Sequence, residues 1–134
     1  MSPRILVIDD EPVVRSALER TLRHFGFDVI TAADGDSAYA LLTDTGFDAV
    51  LLDVLMPQIS GDTLYLAFVR RWPELRERIV LMSGDPQGVS VNWPDELKRR
   101  PILAKPFNIQ DVRRVIADVL ASHQDPPLRR NSQG

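Results

Sequence analysis

Side chains that could do chemistry follow the short apolar runs of this sequence. In chain order they are Asp9, Asp10, Glu11, Asp53, Ser83 and Lys105. Carboxylates brought close together repel one another, and a bound cation is the usual remedy. Oxygen ligands without histidine or cysteine select a hard ion, and Mg²⁺ is the ion we expect. The acidic residues therefore predict a magnesium site, provided that the fold brings them together.

A carboxylate, an ammonium and a hydroxyl in the same site would suit phosphoryl transfer. A carboxylate can act as a nucleophile and form an aspartyl-phosphate, and Asp53 stands where a buried strand leaves the core. The reaction mainly needs charge neutralisation and positioning. Lys105 is a compact point charge suited to a phosphate oxygen, and the Ser83 hydroxyl can donate a hydrogen bond to another. Each residue alone has an ordinary explanation, such as a helix cap. The set in this order predicts the site.

Short apolar runs alternating with helical patterns supply the elements that must position these residues. The predicted strands are residues 4–8, 27–31, 49–53, 78–82 and 101–104. A first helix should have Pro12 near its start and end at Gly26, and Asn108 with Asp111 predicts a capping box for the last helix. In that last helix the residues expected to face inward are Ile109, Val112, Ile116 and Val119.

Strands alternating with helices imply right-handed βαβ units, and hence an α/β fold. We expect a doubly wound, five-stranded parallel sheet with helices on both faces. Since all strands of a parallel sheet end at the same edge, the candidate side chains should meet there, where such sheets place their ligands.

Length and composition predict one globular domain with no nucleic-acid-binding surface. The chain has 134 residues, a formal net charge of -3 and no cysteine, which removes disulfides and thiolate metal sites. No apolar run approaches the length of a membrane span and the first residues do not form a signal peptide, so the expected compartment is the cytoplasm. Residues 123–134 are polar and unpatterned, which predicts a disordered tail.

Four motifs stand at the ends of the predicted strands. They are Asp9-Asp10, Asp53-x-x-Met56-Pro57 with Gly61, Met82-Ser83-Gly84, and Lys105-Pro106-Phe107. With these motifs the chain resembles the receiver domain of bacterial two-component response regulators over residues 4–122. The resemblance implies a receiver domain at residues 1–122 and the flavodoxin-like strand order 2-1-3-4-5.

The resemblance also implies a role for each site residue. Asp53 would accept a phosphoryl group from the phosphohistidine of a histidine kinase, with Lys105 and Ser83 assisting. Mg²⁺ would be ligated by Asp10, Asp53 and the backbone carbonyl of Leu55, with Asp9 acting through bound water. A cis Lys105–Pro106 peptide would aim the lysine.

The expected partners are a sensor histidine kinase or phosphotransfer protein and a downstream protein, and the resemblance allows a homodimer. We expect no direct nucleic-acid or membrane contact. We also expect no enzyme activity beyond Mg²⁺-dependent self-phosphorylation and slow autodephosphorylation. The chain is either a stand-alone receiver or a segment of a larger regulator or hybrid kinase.

Two features depart from the family pattern. Receivers usually carry Tyr or Phe three residues before the strand-five lysine, where this chain has Ile102. Glycines and prolines interrupt residues 85–92, so a regular fourth helix is expected only over about residues 94–99. These departures leave open an alternative, a receiver-like interaction module that works without phosphate.

An enzyme class and a dinucleotide-binding domain are both less favoured. A phosphohydrolase of the haloacid dehalogenase type also uses a nucleophilic Asp, Mg²⁺ and a Lys. Such enzymes carry a general acid two residues after the nucleophile, where this chain has Leu55, and 134 residues leave no room for a cap domain. A dinucleotide-binding domain would need a Gly-rich loop where residues 9–12 carry three acids and a proline.

Overall fold

A five-stranded parallel sheet forms the centre of the computed structural model, which describes residues 2–85 and 93–121. The strands are β1 (Arg4–Ile8), β2 (Asp28–Ala32), β3 (Ala49–Asp53), β4 (Ile79–Ser83) and β5 (Ile102–Ala104). The helices are α1 (Pro12–His24), α2 (Gly35–Asp44), α3 (Gly61–Arg71), α4 (Asp95–Lys98) and α5 (Ile109–Ala121), with a 3₁₀ helix at Pro73–Glu77. The order β2-β1-β3-β4-β5, with every pair parallel, confirms the predicted fold and strand order.

Alternate residues of each strand face two separate apolar cores, one on each side of the sheet. In β1, Leu6 and Ile8 pack in the core that contains α2, α3 and α4, whereas Ile5 and Val7 pack in the core of α1 and α5. Burying one such side chain stabilises the fold by roughly 1.5–3 kcal/mol. Burial on both faces explains why these strands read as continuous apolar runs.

Register carries this alternation to the carboxyl edge of the sheet. Val7 lies opposite Leu51 and Ile8 lies opposite Leu52, so the next residues along the two strands are Asp9 and Asp53. Leu51 and Val7 belong to the α1–α5 core, and alternation continues that side to the two acids. The hydrophobic pattern of β1 and β3 thus sets two carboxylates beside each other where the strands end.

Helix termini follow the predicted signals with one exception. Pro12 begins α1, and Gly26 follows it with φ 92°. The Asp111 N–H donates to Asn108 Oδ1 at 2.8 Å and the Asn108 N–H donates to Asp111 Oδ2 at 3.4 Å, as expected of a capping box. The prediction for Ile109 was wrong, because its side chain is 56% exposed. Ile109 begins α5, and burial starts one turn later.

Helix α4 is short, as the sequence predicts. Its bounds, Asp95–Lys98, fall within the expected residues 94–99, and Trp93 and Leu97 are buried in the core that also contains α3. The interrupted residues 86–92 and the predicted tail at 123–134 lie outside the described residues. β2, β4 and β5 each begin one residue later than predicted. Within the described ranges, no helix combines the length and hydropathy that crossing a bilayer requires.

Candidate functional site

The loop between β1 and α1 fixes Asp9 through its side chain and its backbone. Asp9 is fully buried, and its N–H donates to the carbonyl of Ala32 at 3.1 Å. Its Oδ1 accepts the Glu11 N–H at 2.9 Å, and its carbonyl accepts a hydrogen bond from Arg15 Nη1 at 2.7 Å. These contacts leave Oδ2 to face Lys105.

Asp53 ends β3 and is 2% exposed. Its Oδ1 accepts the Leu55 N–H at 3.2 Å, which holds the carboxylate against the start of the following loop. Gly61 closes that loop by donating its N–H to the Val54 carbonyl at 3.0 Å. A Cβ at residue 61 would lie 2.5 Å from Val54 Cα and 2.9 Å from the Asp53 carbonyl oxygen. Only glycine therefore lets α3 begin this close to the phosphoacceptor candidate.

β4 and β5 bring Ser83 and Lys105 to the same edge. The Lys105 N–H donates to the Ser83 carbonyl at 2.7 Å, which ties the two strand ends together. The buried Ser83 Oγ accepts the Asp85 N–H at 2.9 Å. The Lys105–Pro106 peptide is cis, as the resemblance implied.

Lys105 is the cation on which the acidic loops converge. Its Nζ lies 2.9 Å from Asp9 Oδ2, and 3.4 Å from both Glu11 Oε1 and Asp53 Oδ1. Burial alone would lower the pKa of Lys105, but the hydrogen bond with Asp9 and the charges of the neighbouring carboxylates raise it overall. Lys105 is therefore a fixed positive charge at neutral pH.

Asp9, Asp10 and Asp53 form a cluster with the composition of a magnesium site. One carboxylate oxygen from each lies within 4.8 Å of the others. Burial raises the pKa of Asp53, and the charge of Asp9 adds to that effect, while the Leu55 N–H and Lys105 act against it. A raised pKa means that the attraction of Lys105 does not fully offset the cost of burying the negative charge of Asp53. Three oxygen donors with residual negative charge fit a hard divalent cation.

A recess lies beside Asp10, the member of this cluster that lines it. It has a volume of about 160 Å³ and lies between the loops that follow β1, β2 and β3. Its lining includes Asp34, which caps α2 by accepting the Ser37 N–H at 2.7 Å, and Met56 from the loop after Asp53. A hydrated ion can therefore reach Asp10 from outside without opening the core.

The structure thus gathers most of the residues singled out in the sequence. Asp9, Asp10 and Asp53 form one cluster, Lys105 pairs with Asp9 and Asp53, and Ser83 joins them through the backbone of Lys105. Leu55 lies two residues after Asp53, in the loop that follows β3, and is 63% exposed.

Sequence reasoning missed two contacts at this site. Arg15 braces the carbonyl of Asp9, and the Glu11 side chain reaches Lys105. The available signal for Arg15 is a basic residue in the first turn of the helix that follows the acids. That spacing can bring a long side chain back toward the preceding strand end, although the sequence does not say which acceptor it finds.

Comparison with known sequences identifies the family. The family model for the response regulator receiver domain matches residues 5–117. The chain is 34% identical over 134 residues to the transcriptional regulatory protein CpxR of Escherichia coli K12, which covers 98% of this chain and 55% of that protein. It is 47% identical over 66 residues to the transcriptional regulatory protein PrrA of Mycobacterium leprae, covering 49% of this chain and 28% of that protein. The chain therefore spans about half the length of CpxR and less of PrrA.

Solved structures agree with this assignment. The chemotaxis response regulator CheY4 of Vibrio cholerae has a TM-score of 0.79 and 27% identity, covering 90% of this chain and 100% of that one. The response regulator TrrA of Thermotoga maritima, solved in complex with Mg²⁺ and BeF, has a TM-score of 0.77 and 27% identity over the same shares of the two chains. The sheet order, the acidic cluster at its carboxyl edge and the family match lead to one conclusion: this chain belongs to the response regulator receiver domain family.

Proposed function

We propose that this receiver is switched by phosphorylation of Asp53. The observation that carries the proposal is the position of its carboxylate, which is buried, lies 3.4 Å from Lys105 Nζ and belongs to a three-carboxylate cluster. In the reaction a carboxylate oxygen of Asp53 forms a bond to phosphorus. The bond between phosphorus and the donor breaks, and the donor's leaving atom keeps the electron pair. With a kinase phosphohistidine, that atom is an imidazole nitrogen.

Mg²⁺ is the proposed cofactor, held by Asp10, Asp53 and the carbonyl of Leu55, with Asp9 acting through water. When bound, the ion neutralises negative charge that develops on the phosphoryl oxygens. The similarity to TrrA, solved with Mg²⁺ and BeF, supports this assignment. Lys105 then offers its ammonium to one phosphoryl oxygen, and its position is set by the contacts with Asp9 and with the backbone of Ser83.

Ser83 can keep its present contact while taking part in the site. Its hydroxyl accepts the Asp85 N–H at 2.9 Å, and a hydroxyl can donate and accept at once. The Ser83 proton is therefore available to a phosphoryl oxygen without loss of the contact that fixes the start of the following loop. Phosphate adds about -1.5 to -2 charges at Asp53. This added charge would favour a different arrangement of the surrounding loops and so change partner binding.

The proposed partners are a histidine kinase or phosphotransfer protein upstream and a protein partner downstream. Relatives such as CpxR are transcriptional regulators longer than this chain, so we assign the receiver to residues 1–122 and leave nucleic-acid contact to other regions of such proteins. The proposed compartment is the cytoplasm, where such donors act. We propose no catalysis beyond self-phosphorylation and autodephosphorylation. The phosphate-independent alternative is not favoured, because the acidic cluster and Lys105 are both in place.

The test is intact mass after incubation with acetyl phosphate and Mg²⁺. Wild type should gain one phosphoryl group, with acetate as the leaving group, and the gain should disappear in Asp53→Asn and in EDTA. Asp44→Asn, an exposed acid at the end of α2, is the matched control and should be labelled like wild type. Equal labelling of Asp53→Asn and wild type would refute the assignment, as would failure of folded wild type with both acetyl phosphate and a cognate kinase.

A further inference from the structure

The side chain of Glu11 does not do what an acid before a helix usually does. Glu11 occupies the N-cap position of α1, yet its side chain makes no capping hydrogen bond to the helix. Glutamate is also not among the residues that N-cap positions prefer. Instead Glu11 Oε1 lies 3.4 Å from Lys105 Nζ, on the strand end farthest along the chain. Capping therefore does not account for this carboxylate, and the contact with Lys105 requires its own explanation.

Three carboxylates lie close to the ammonium of Lys105, and they differ in how far they are buried. Asp9 is fully buried and Asp53 is nearly so, whereas the Glu11 side chain is 61% exposed. The Lys105 ammonium donates to Asp9 and Glu11 and lies 3.4 Å from Asp53, so a phosphoryl oxygen that binds it competes with these present neighbours for its three donors. Releasing Glu11 costs least, because its carboxylate is largely hydrated already and would stay in water.

The backbone of Glu11 keeps its side chain within reach of the lysine. Its N–H donates to Asp9 Oδ1 at 2.9 Å, and its carbonyl accepts the Arg15 N–H at 3.0 Å in the first turn of α1. Asp9 thus binds Glu11 with one oxygen and Lys105 with the other. The backbone contacts of the loop therefore position Glu11 to pair with Lys105.

We propose that Glu11 is a positioning residue that acts through Lys105. In the unphosphorylated protein it holds the ammonium at the mouth of the site. When Asp53 carries a phosphoryl group, Lys105 exchanges Glu11 for a phosphoryl oxygen, and the Glu11 carboxylate returns to solvent. Glu11 therefore competes with the phosphoryl group for Lys105 and weakens the phosphorylated state. The inference rests on the proposed function of Asp53 and deepens it.

The test uses beryllofluoride at saturating Mg²⁺ as a stable stand-in for the phosphoryl group, with affinity measured by calorimetric titration. Saturating Mg²⁺ removes any effect of the variants on the affinity for the ion itself. Glu11→Gln, which removes the charge, should bind beryllofluoride about two- to fivefold more tightly than wild type, the range that an exposed ion pair supports. Glu19→Gln removes the same charge from a residue of α1 that pairs with Arg23, and should bind like wild type.

Glu11→Asp separates pairing from charge. The shorter side chain keeps the negative charge but loses the reach to Lys105, and Asp at an N-cap position favours hydrogen bonds to the helix instead. We therefore expect Glu11→Asp to bind beryllofluoride as tightly as Glu11→Gln. Urea unfolding of each variant checks that the fold is retained.

Each remaining outcome decides one question. Equal affinity of wild type and Glu11→Gln, with wild-type binding intact and lost in Asp53→Asn, would overturn the inference and leave the proposed function standing. Tighter binding in Glu11→Gln but not in Glu11→Asp would also overturn it, since charge at the mouth of the site would then suffice. Failure of wild type to bind beryllofluoride would overturn the proposed function, and the inference with it.

Discussion

Replacing Asp53 by Asn should stabilise the protein in the absence of Mg²⁺, and the gain should depend on pH. Burial raises the pKa of Asp53 in the folded state above its unfolded value of about 3.9. Between these two values the folded state keeps a proton that the unfolded state has lost. Wild type therefore loses stability as the pH rises through this window, whereas Asp53→Asn has no such loss. The stability difference between variant and wild type should grow from acid to neutral pH and then level off.

The charges around Asp53 indicate the size of the effect. At an effective dielectric constant of about 20, two carboxylates 4.8 Å apart repel by roughly 3.5 kcal/mol, which applies to Asp9 and Asp53 at the outer limit of their cluster. With the same constant, Lys105 at 3.4 Å attracts Asp53 by about 5 kcal/mol. These opposing terms cancel to within about 1–2 kcal/mol, so the burial of the charge decides the sign. We expect Asp53→Asn to gain about 1–2 kcal/mol at neutral pH, as substitutions that relieve a strained functional site commonly do.

The assay is urea unfolding of both proteins from pH 3 to pH 8, with EDTA and then with Mg²⁺. Mg²⁺ should raise the stability of wild type, because it binds the folded carboxylate cluster. The stability difference between Asp53→Asn and wild type should then become smaller. Asp44→Asn, an exposed acid outside the cluster, should change stability by less than about 0.5 kcal/mol. The reasoning fails if Asp53→Asn is no more stable than wild type at neutral pH in EDTA, or if the gain is the same at every pH.

Three further predictions concern the surroundings of the site. Gly61→Ala should cost about 1–3 kcal/mol in urea unfolding, because its Cβ would lie 2.5 Å from backbone, whereas Gly84→Ala, with nothing within 4 Å of its Cβ, should cost little; equal costs would contradict this. Lys105→Ala should lose about 3 kcal/mol in EDTA, since buried carboxylates lose their cation, and should recover much of that loss in Mg²⁺; a loss that Mg²⁺ does not reduce would argue against the cluster. Tyr65→Phe removes the hydroxyl that donates to Glu96 at 2.9 Å and that holds the pKa of Glu96 low. Its cost, about 1–2 kcal/mol at pH 7, should shrink as the pH falls through the lowered pKa of Glu96, where the folded carboxylate also takes up a proton; a cost independent of pH would refute this account.

The sequence predicted the part of the site that follows from strand pattern. Four strand ends carry Asp9, Asp53, Ser83 and Lys105, and a parallel sheet delivers all four to the same edge. The pairing of the first two acids needed one further fact, that β1 and β3 are neighbours. The strand order supplied it, and the resemblance implied that order.

The missed features depend on long side chains and on geometry that no local pattern encodes. Arg15 lies in a stretch that reads as an ordinary helix start, and the sequence predicts Glu11 only as one acid among several; the three-dimensional positions of Asp9 and Lys105 give these two residues their partners. Pro73 by itself indicates the end of an α-helix, and that signal does not reveal the 3₁₀ helix that begins there and runs to Glu77. Helical spacing alone predicts that Ile109 faces inward, but Ile109 is the first residue of α5 and is 56% exposed, and the buried positions of the helix begin at Val112.

The alternation of the strands also divides the site between the two sides of the sheet. Asp53 lies two residues after Leu51 and Lys105 lies two residues after Leu103, and both leucines pack in the α1–α5 core. Ser83 lies two residues after Leu81, which packs in the core that contains α4. Ile102, which replaces the usual aromatic residue, packs against that same α4 side and pairs with Leu81. A branched aliphatic side chain has no ring to swing inward, so Ile102 cannot make the movement of an aromatic side chain. By alternation with Leu81, Ser83 lies on the α4 side of the sheet, and its hydroxyl accepts the Asp85 N–H at the start of the loop that follows β4. A movement of Ser83 would therefore act on the α4 side of the sheet.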